Sequence, residues 1–526
     1  MPRHIFFVSA LVISVAVVLG AIFGTVHALW LLLIVVPLTL LGLWDVYLSG
    51  HNVLINYPVA GHLRYAFEFI SPEIRQYFIE TNENGRPFNR LQRTLVQERA
   101  EGRPDTLPFG TQYDITRVGY HRADHSLAPT EVPEEDLRVL VGGPQCRRPY
   151  SASRLNISAM SFGALSANAI RALNGGARLG GFAHNTGEGG VSPYHLEPGG
   201  DLIWQIGTGY FGCRSRDGGF DDGKFRETVA RDVIKMVEIK LSQGAKPSHG
   251  GVLPAAKISE EIARIRGISR EEDCVSPPGH RTFSTPLGLL EFVARLRELS
   301  GGKPVGFKLA LGDPRQFMGI CKAMLESGIR PDFITVDGGE GGTGAAPNEF
   351  SDRLGRPILE SLVFVRNCLV GTDLRRDIRV IASGKTVSGF DMTIKLALGA
   401  DMVNAARTML FAVGCIQALR CNTNTCPSGI ATQDPARGRA VDVALRQRHV
   451  ANYHGATLAT LRELVGAMGL DSFDKLEPRH IYRRMADETE KSYARIYDIL
   501  PPGGLLSGDA PADFLDDWAA ARADRF

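Results

Sequence analysis

Short apolar runs that end in glycine-rich loops recur from about residue 155 onward, and this pattern constrains the fold more than any other feature of the chain. "LIWQIG" leads into "TGYFG", and "DFITVDGG" leads into "EGGTGAAP". Runs that are apolar throughout are typical of parallel strands buried on both faces. About eight such units, separated by helix-like stretches, predict an α/β fold of the (β/α)8 TIM-barrel type. A doubly wound open sheet is the alternative, because periodicity alone does not separate the two folds.

Several segments between these runs have helical patterns. We predict helices at 286–299, 314–327 and 389–398. The segment 227–246 is amphipathic and ends near Gly244, so we predict a helix there as well. In a barrel, the loops that follow the strands build the active site, and we therefore look for functional side chains in those loops.

The N-terminus carries two apolar segments that are unlike the rest of the chain. Residues 5–26 contain no charged side chain, and at ~1.5 Å rise per residue this length crosses the ~30 Å hydrocarbon layer of a bilayer. Residues 28–44 form a second, shorter apolar run that includes Pro37. We predict a transmembrane helical hairpin at 1–50. A signal peptide, with a cleavage site near 26–28, is the alternative.

The basic residues around the hairpin predict its orientation. No lysine or arginine separates the two apolar segments, so both ends of the hairpin are expected on one side of the membrane. Arg3 precedes the pair, and Arg64 and Arg75 follow it. Basic flanks favour the cytoplasmic side. We therefore expect an inner-membrane protein whose catalytic domain faces the cytoplasm.

The remaining domain boundaries follow from composition. Residues 51–150 are predicted to be a helical and loop connector, 151–436 the barrel, and 437–526 a C-terminal helical extension and tail. The formal net charge of the chain is +2, so composition offers no electrostatic case for nucleic-acid binding.

Three cysteines lie within a dozen residues, at Cys415, Cys421 and Cys426, with Pro427 directly after the third. Structural zinc sites usually have C-x2-4-C pairs and four ligands, whereas this spacing is C-x5-C-x4-C. Thiolates also hold iron–sulfur clusters, and a three-iron cluster needs only three protein ligands. From spacing alone an iron–sulfur cluster, a zinc ion and no metal at all stay open.

Charged side chains stand in two of the glycine-rich loops and in one strand. Glu188 lies in "NTGEGG" and Lys246 in "SQGAKPSHGG". A rigidly held lysine at a barrel mouth binds a carboxylate or phosphate as a point charge, whereas solvated loop side chains are the simpler interpretation. Lys308 lies within the apolar run "GFKLALG", where its charge is costly unless an anion faces it. The loops "ASGK" (382–385) and "NAAR" (404–407) close the last two units, where barrels commonly grip a phosphate.

Taken together, these stretches resemble the FMN-binding synthase part of glutamate synthase over residues 150–436. The similarity is to FMN-binding glutamate synthase family proteins, some of which carry an N-terminal membrane hairpin. The matching motifs, in order, are "MSFGALS" (160–166), "NTGEGG" (185–190), "WQIGTGYFG" (204–212), "QGAKPSHGGVLP" (243–254), "SPPGH" (276–280), "DGGEGGTGAAP" (337–347) and "CNTNTCPSGIATQDP" (421–435).

The resemblance implies two cofactors and a set of site residues. It implies FMN at the barrel mouth and a [3Fe–4S] cluster on the three cysteines. Glu188 and Lys246 match the family's substrate pocket and would be catalytic. The residues that would bind FMN are Met160 and Ser161 beside the flavin, Gln205 and Lys308 at its ring, and Ser383, Gly384, Lys385, Ala405, Ala406 and Arg407 at its phosphate.

The implied activity is reduction of the imine formed from a 2-oxo acid, giving L-glutamate from 2-oxoglutarate and ammonia. Electrons would come from an external donor such as ferredoxin or a membrane quinone, and ammonia from a partner such as a glutaminase. Three positions depart from the family pattern: His249 replaces a glutamate, Val252 a glutamine and Tyr210 an arginine. The alternatives are therefore an N-alkylglutamate synthase that acts on an amine, or a non-catalytic, membrane-tethered redox subunit.

Overall fold

The computed structural model describes residues 2–24 and 26–526, which form two compact units, Met1–Leu91 and Gln92–Phe526. In the first unit, two apolar α-helices, Pro2–Phe23 and Leu32–Tyr47, are joined through a 3-10 segment, Val26–Leu31. By length and composition alone, Arg3–Phe23 and Val26–Tyr47 are each long and apolar enough to cross a membrane. The predicted first span, 5–26, includes Thr25, which lies outside the described residues.

A buried carboxylate ties the second apolar helix to the segment that follows it. Asp45 lies near the end of Leu32–Tyr47, with no exposed surface. Its Oδ2 accepts the backbone N–H of Val59 at 2.8 Å, and its Oδ1 lies 2.7 Å from Nε2 of His62. Because a buried carboxylate needs such partners, Asp45 fixes the start of the helix Gly61–Ile74 against the apolar helix.

Eight parallel strands of the second unit close into a barrel, which confirms the predicted fold and rules out the open sheet. Each strand is paired with its neighbours in chain order, and the eighth returns to pair with the first. Their side chains are almost all buried, as expected for strands covered by helices on the outside. The strands are β1 (Leu155–Ile157), β2 (His184–Asn185), β3 (Leu202–Ile206), β4 (Ile234–Lys240), β5 (Val305–Leu309), β6 (Phe333–Asp337), β7 (Arg379–Ser383) and β8 (Met402–Ala405).

The three helices predicted between the later strands are confirmed. They begin at side chains that accept a hydrogen bond from the first helical turn, as Thr285 and Asp313 do for the two helices after β4 and β5. The helices that follow the eight strands, in order, are Ala167–Gly180, Pro193–Leu196, Asp222–Val229, Pro286–Leu299, Pro314–Ser327, Ile358–Gly371, Gly389–Ala397 and Arg407–Val413.

The helix predicted at 227–246 is wrong. The structure has a helix that ends at Val229 and then strand β4, Ile234–Lys240. β4 pairs with β3 on one side and β5 on the other, and nearly all its side chains are buried. The polar residues that made the segment look amphipathic point into the barrel, where other strands supply their partners. Pairing with two neighbours therefore overrides the local pattern.

Additional elements close the bottom and one side of the barrel. The antiparallel strands Arg138–Val141 and Tyr150–Ser153 share a buried apolar cluster with the amino ends of the barrel strands. The long helix Val443–Ala467 packs along Ala167–Gly180, where a side chain at Gly176 would overlap Val450. The barrel is thus sealed below, and only its carboxyl end is available for a site.

Candidate active site

An ion pair between Glu188 and Lys240 stands at the carboxyl end of the barrel. Glu188 lies in the loop after β2, and Lys240 is the last residue of β4. Glu188 Oε1 and Lys240 Nζ are 2.7 Å apart, and both side chains are largely buried. Two glycines make room for the carboxylate: a Cβ at Gly251 would lie 2.2 Å from Oε1, and one at Gly207 2.7 Å from Oε2. Any side chain at either position would displace Glu188.

The surroundings of Glu188 keep it ionised. Burial acts to raise the pKa of this carboxyl, but the nearby charges of Lys240, Lys246 and Arg266 outweigh burial, so the net shift is downward. The four groups bring three cations together around one carboxylate. Such an excess of positive charge in a buried site favours an anionic ligand.

Lys246 is the clearest candidate for holding that ligand. Its side chain is 2 % exposed, yet among the residues that the structure describes its ammonium has no hydrogen-bond or ion-pair partner. Burial lowers the pKa of Lys246 to about 8, against a partial opposing effect of Glu188. A buried, unpaired ammonium is costly, and a bound carboxylate would remove that cost.

A hydrogen-bonded carboxylate inside the barrel orients Gln205. Glu238 in β4 accepts from Nε2 of Gln205 at 2.7 Å and from Nδ2 of Asn185 at 2.8 Å. Its other oxygen accepts from the hydroxyl of Thr335 at 2.6 Å. All these side chains are buried. The amide of Gln205, predicted to contact the flavin ring, is therefore held in one orientation by its neighbours on three strands.

The anion that Lys308 requires is Asp337. Lys308 in β5 lies 3.2 Å from Oδ2 of Asp337 at the end of β6, and both side chains are buried. The same carboxylate oxygen accepts the backbone N–H of Gly244 at 2.9 Å. This pair links the middle of the barrel to the loop that carries Lys246, and its proximity to a flavin remains a prediction.

Met160 and Ser161 follow β1 and lie against the loop of Glu188. The N–H of Met160 donates to the carbonyl of Asn185 at 3.2 Å. Gly187, with φ of +65°, passes so close that a Cβ would lie 2.9 Å from the backbone nitrogen of Ser161. The structure thus brings these two residues together with Glu188.

The two loops predicted to bind a phosphate are neighbours, because Ser383 pairs with Asn404 at the ends of β7 and β8. The helix Arg407–Val413 begins at Ala406, whose side chain offers no cap. The side-chain oxygen of Asn404 is buried without a hydrogen-bond partner in the described part of the chain. The uncapped backbone N–H groups at the start of this helix fit a phosphorylated cofactor. The predicted contacts are Ser383, Gly384, Lys385, Ala405, Ala406 and Arg407.

The three cysteines lie in one loop after β8 with their thiols free. Among the described residues, no three metal-ligating side chains are placed as they would be around a single ion. The thiols are nonetheless close enough to act on one another: burial first, and then Cys421 and Cys426, raise the pKa of Cys415 to about 11. At Cys426 the effect of burial is outweighed by hydrogen bonds from Ser428 and the backbone, so its pKa is lowered. Backbone donors around a thiol fit a metal-bound thiolate.

A buried lysine connects the cysteine loop to the barrel. Lys257 is 3 % exposed, and its Nζ donates to the carbonyls of Ala164 at 2.7 Å, Cys421 at 3.2 Å and Ala431 at 3.2 Å. Burial lowers the pKa of Lys257 to about 8, and the neighbouring thiols oppose that effect. Lys257 therefore places a positive charge beside the cysteines and joins three loops of the barrel mouth.

Sequence comparison finds extensive matches to known proteins. The conserved region in glutamate synthase matches residues 130–471. The glutamate synthase large subunit-like protein YerD of Bacillus subtilis is 38% identical over 480 residues, covering 83% of this chain and 90% of YerD.

The chain belongs to the glutamate synthase family.

More distant family members match a smaller part of the chain. The archaeal glutamate synthase [NADPH] of Methanocaldococcus jannaschii is 35% identical over 61% of this chain and 60% of its own length. Among solved structures, a mutant flavocytochrome b2 with bound pyruvate aligns with 85% of this chain and 90% of its own at 12% identity and a TM-score of 0.40. That likeness is too distant to bear on function.

The three positions that depart from the family pattern have clear structural roles. Tyr210 is buried, and its hydroxyl accepts the backbone N–H groups of Arg281 at 2.9 Å and Thr282 at 3.2 Å. The ring of His249 makes an edge-to-face contact with the ring of Phe350. Val252 pairs with Val275 in a short antiparallel ladder.

Sequence reasoning missed three residues of this site. Lys240 and Glu238 were assigned to a helix, although two charges in the otherwise apolar "MVEIKL" are the same signal that singled out Lys308. Lys257 has no local signal, because its partners lie in loops far apart in the sequence.

Proposed function

We propose that this chain is a glutamate synthase-type oxidoreductase that binds FMN and a [3Fe–4S] cluster and reduces the imine formed from 2-oxoglutarate and ammonia, giving L-glutamate. The observation that carries the proposal is Lys246, a buried ammonium without a protein partner, beside the ionised Glu188 at the carboxyl end of the barrel. An acid substrate supplies the missing negative charge, and a carboxylate next to a proton-transfer group suits imine chemistry.

The side chains have distinct tasks in this scheme. Lys246 binds a carboxylate of the oxo acid and so orients its carbonyl carbon. Glu188, held 2.7 Å from Lys240, accepts a proton from the attacking nitrogen and returns it as the carbonyl oxygen leaves as water. Lys240 keeps Glu188 ionised between these steps, because a neighbouring cation lowers its pKa.

The chain also offers residues of the kinds that would hold the two cofactors. The paired loops at 383–385 and 405–407 would hold the FMN phosphate, with Gln205 and Lys308 at its ring; when bound, FMN supplies the hydride that reduces an imine carbon. Glu238 keeps the Gln205 amide fixed, and Asp337 pairs with Lys308 at 3.2 Å. The three cysteines would hold an iron–sulfur cluster, which supplies single electrons when bound.

Location and partners belong to the same proposal. The two apolar N-terminal helices would anchor the enzyme to the inner membrane, with the barrel on the cytoplasmic side. Ferredoxin or a membrane quinone would deliver electrons, and a glutaminase partner would deliver ammonia.

Product formation by purified full-length protein tests the proposal. The protein, in detergent and under anaerobic conditions, is given 2-oxoglutarate, ammonium and reduced methyl viologen, and glutamate is measured. Lys246→Met should raise the KM for 2-oxoglutarate by about 10- to 100-fold, because a charge-assisted hydrogen bond contributes about 1.5–3 kcal/mol. Lys491→Met, an exposed lysine, is the matched control and should behave as the unaltered protein. Absence of glutamate would favour the non-catalytic redox subunit, and an unchanged KM would remove Lys246 from the site.

A further inference from the structure

The helical segment that follows the apolar hairpin carries an exposed stripe of apolar side chains. The helix Gly61–Ile74 continues directly into one π-helical turn, Arg75–Ile79, and we call the two together the 61–79 helix. Apolar side chains recur along it every three or four positions, the spacing that places them on one face of a helix. Their exposed fractions run from 37% at Ile74 to 85% at Phe78, so nothing in the chain covers this face. The apolar stripe consists of Leu63, Phe67, Ile70, Ile74, Tyr77 and Phe78.

Polar and charged side chains occupy the opposite face of the 61–79 helix. Arg64 and Glu68 form an exposed ion pair at 2.9 Å, and Arg75 lies two turns further along the same face. With these charges the helix is too polar to be a third membrane-spanning segment. An apolar face opposite a charged face, with low hydrophobicity along the whole segment, is typical of helices that lie in the plane of a membrane surface.

The first turn of the 61–79 helix is fixed beside the end of the second apolar helix. Asp45 in that helix accepts the backbone N–H of Val59 at 2.8 Å and lies 2.7 Å from the ring of His62. The apolar segment Val26–Tyr47 has 22 residues, which reach about 33 Å at ~1.5 Å per residue, close to the ~30 Å thickness of the hydrocarbon layer. In the proposed membrane anchor, Asp45 therefore lies at the surface of the bilayer, and the 61–79 helix begins there.

The surface of the bilayer is the apolar phase nearest to the stripe. Large exposed apolar faces on a protein mark sites that contact another protein or a membrane, and here the membrane is reached from the first turn of the helix. The segment 61–79 contains two arginines and two glutamates, so it is formally uncharged with its histidine neutral. Binding to lipid would therefore depend on burial of the apolar stripe and not on attraction to anionic headgroups.

We propose, building on the membrane anchor proposed above, that the 61–79 helix lies in the plane of the membrane surface, with its apolar stripe among the upper acyl chains and its charged face in water. The lipid surface is then a binding partner of this helix in addition to the two spans. Asp45 joins the spanning and the in-plane parts, because it is bonded to the chain at the start of the in-plane helix.

Photo-cross-linking of the full-length protein gives the first test. The photoreactive residue p-benzoylphenylalanine replaces Phe67 or Phe78 in the stripe, Glu68 or Arg75 on the charged face, or Leu11 in the first apolar helix. The protein is reconstituted in nanodiscs of dioleoylphosphatidylcholine and irradiated, and intact mass reports any bound lipid. The two stripe positions should give about tenfold more lipid adduct than the two charged-face positions, because only one face contacts acyl chains.

Each other result of this experiment overturns the proposal. Adducts with a second copy, or cross-links within the chain, at Phe67 and Phe78 would assign the stripe to a protein contact. Equal lipid adduct on both faces would mean that the helix is immersed in the bilayer. Leu11, which is 66% exposed, separates this inference from the anchor itself. Lipid at Leu11 but not at the stripe would refute the in-plane helix alone, and lipid at neither would refute the anchor as well.

Hydrogen exchange of the full-length protein in the same nanodiscs gives the second test. An isolated helix of this length is marginal in water, so protection of the 61–79 amides reports its contact with lipid. In Phe67→Ser/Ile74→Ser, these amides should exchange at least about tenfold faster than in the control Arg64→Ser/Glu68→Ser, because two buried apolar side chains are lost. The control removes an exposed ion pair, which contributes little, and keeps the net charge. Peptides from 3–23 should exchange equally in both variants, which shows that the hairpin is intact. Equal exchange of 61–79 in the two variants would overturn the proposal.

Discussion

The lowered pKa of Lys246 predicts that the protein loses its affinity for 2-oxoglutarate in mildly alkaline solution. Burial brings the pKa of this lysine from 10.5 to about 8. Only the protonated side chain attracts a carboxylate, so affinity is full well below pH 8 and is lost as the pH rises through that value. About nine-tenths of the lysine is charged at pH 7 and about one-tenth at pH 9. The Kd for 2-oxoglutarate should therefore rise about tenfold between these two values.

Binding, not turnover, is the quantity to measure. Ammonium itself loses a proton in this range, which would confound a rate, whereas the carboxylates of 2-oxoglutarate stay ionised throughout. Isothermal titration calorimetry of the full-length protein without ammonium gives the Kd at each pH. A solvent-exposed lysine would stay charged at pH 9, so the size of the change reports the burial of Lys246.

Lys246→Arg separates this lysine from every other group that titrates. Guanidinium stays protonated across the range, so the Kd of the variant should be independent of pH even where arginine binds less tightly than lysine. Lys491→Met, on the surface, should retain the full tenfold change. A Kd that is constant from pH 7 to pH 9 in the unaltered protein, or that changes equally in Lys246→Arg, would refute the assignment.

Three further substitutions follow from the contacts in the barrel mouth. Gly251→Ala should lower kcat at least tenfold by displacing Glu188, whereas Gly455→Ala should not, as steady-state assays will show. Lys257→Met should reduce the iron content of anaerobically purified protein, measured by colorimetric iron determination, because the cysteine loop loses two hydrogen bonds and its link to Ala164; full iron occupancy would exclude this role. Glu238→Gln should cost about 1–3 kcal/mol of unfolding free energy, measured by urea denaturation, since an amide cannot accept all three bonds; unchanged stability would contradict the network.

The barrel could be predicted because strands that are buried on both faces consist mainly of apolar residues, and such runs are visible in the sequence. Seven strands lie in short, mainly apolar runs that lead into glycine-rich loops. β4 does not, because Glu238 and Lys240 face the interior and the active site, and their polarity imitates the polar face of a helix. What distinguishes β4 is the pairing of Gln205 with Glu238 across to β3, a contact between positions that are far apart in sequence. Polar side chains that point into the barrel, such as Glu238 and Lys240, therefore make their strand difficult to recognise from the sequence.

Only those parts of the candidate site that lie within one short segment of the sequence could be predicted. Glu188 and Lys246 stand in glycine-rich segments whose backbone must approach other groups closely, and sequence alone identifies such segments. The partners of those residues were not predictable: Lys240 lies on a different strand from Glu188, and Asp337 lies on a different strand from Lys308. These pairs form only when the barrel closes. The periodicity of apolar residues in the sequence does not indicate which strand ends will be neighbours.

The loop after β4 carries both the proposed substrate-binding lysine and the lysine that contacts the cysteine loop. Lys246 near its start is the proposed partner of the acid substrate, and Lys257 further along is bonded to the backbone of Cys421 in the cysteine loop. Between them the chain passes close to the segment that follows, since a Cβ at Gly250 would lie 1.8 Å from the carbonyl oxygen of Ser276. The cysteine loop is therefore connected to the segment of Lys246 through the hydrogen bonds of Lys257. If the three cysteines receive electrons and Lys246 binds the oxo acid, as proposed, a substitution at one of these places should also affect the other, because a single segment joins them.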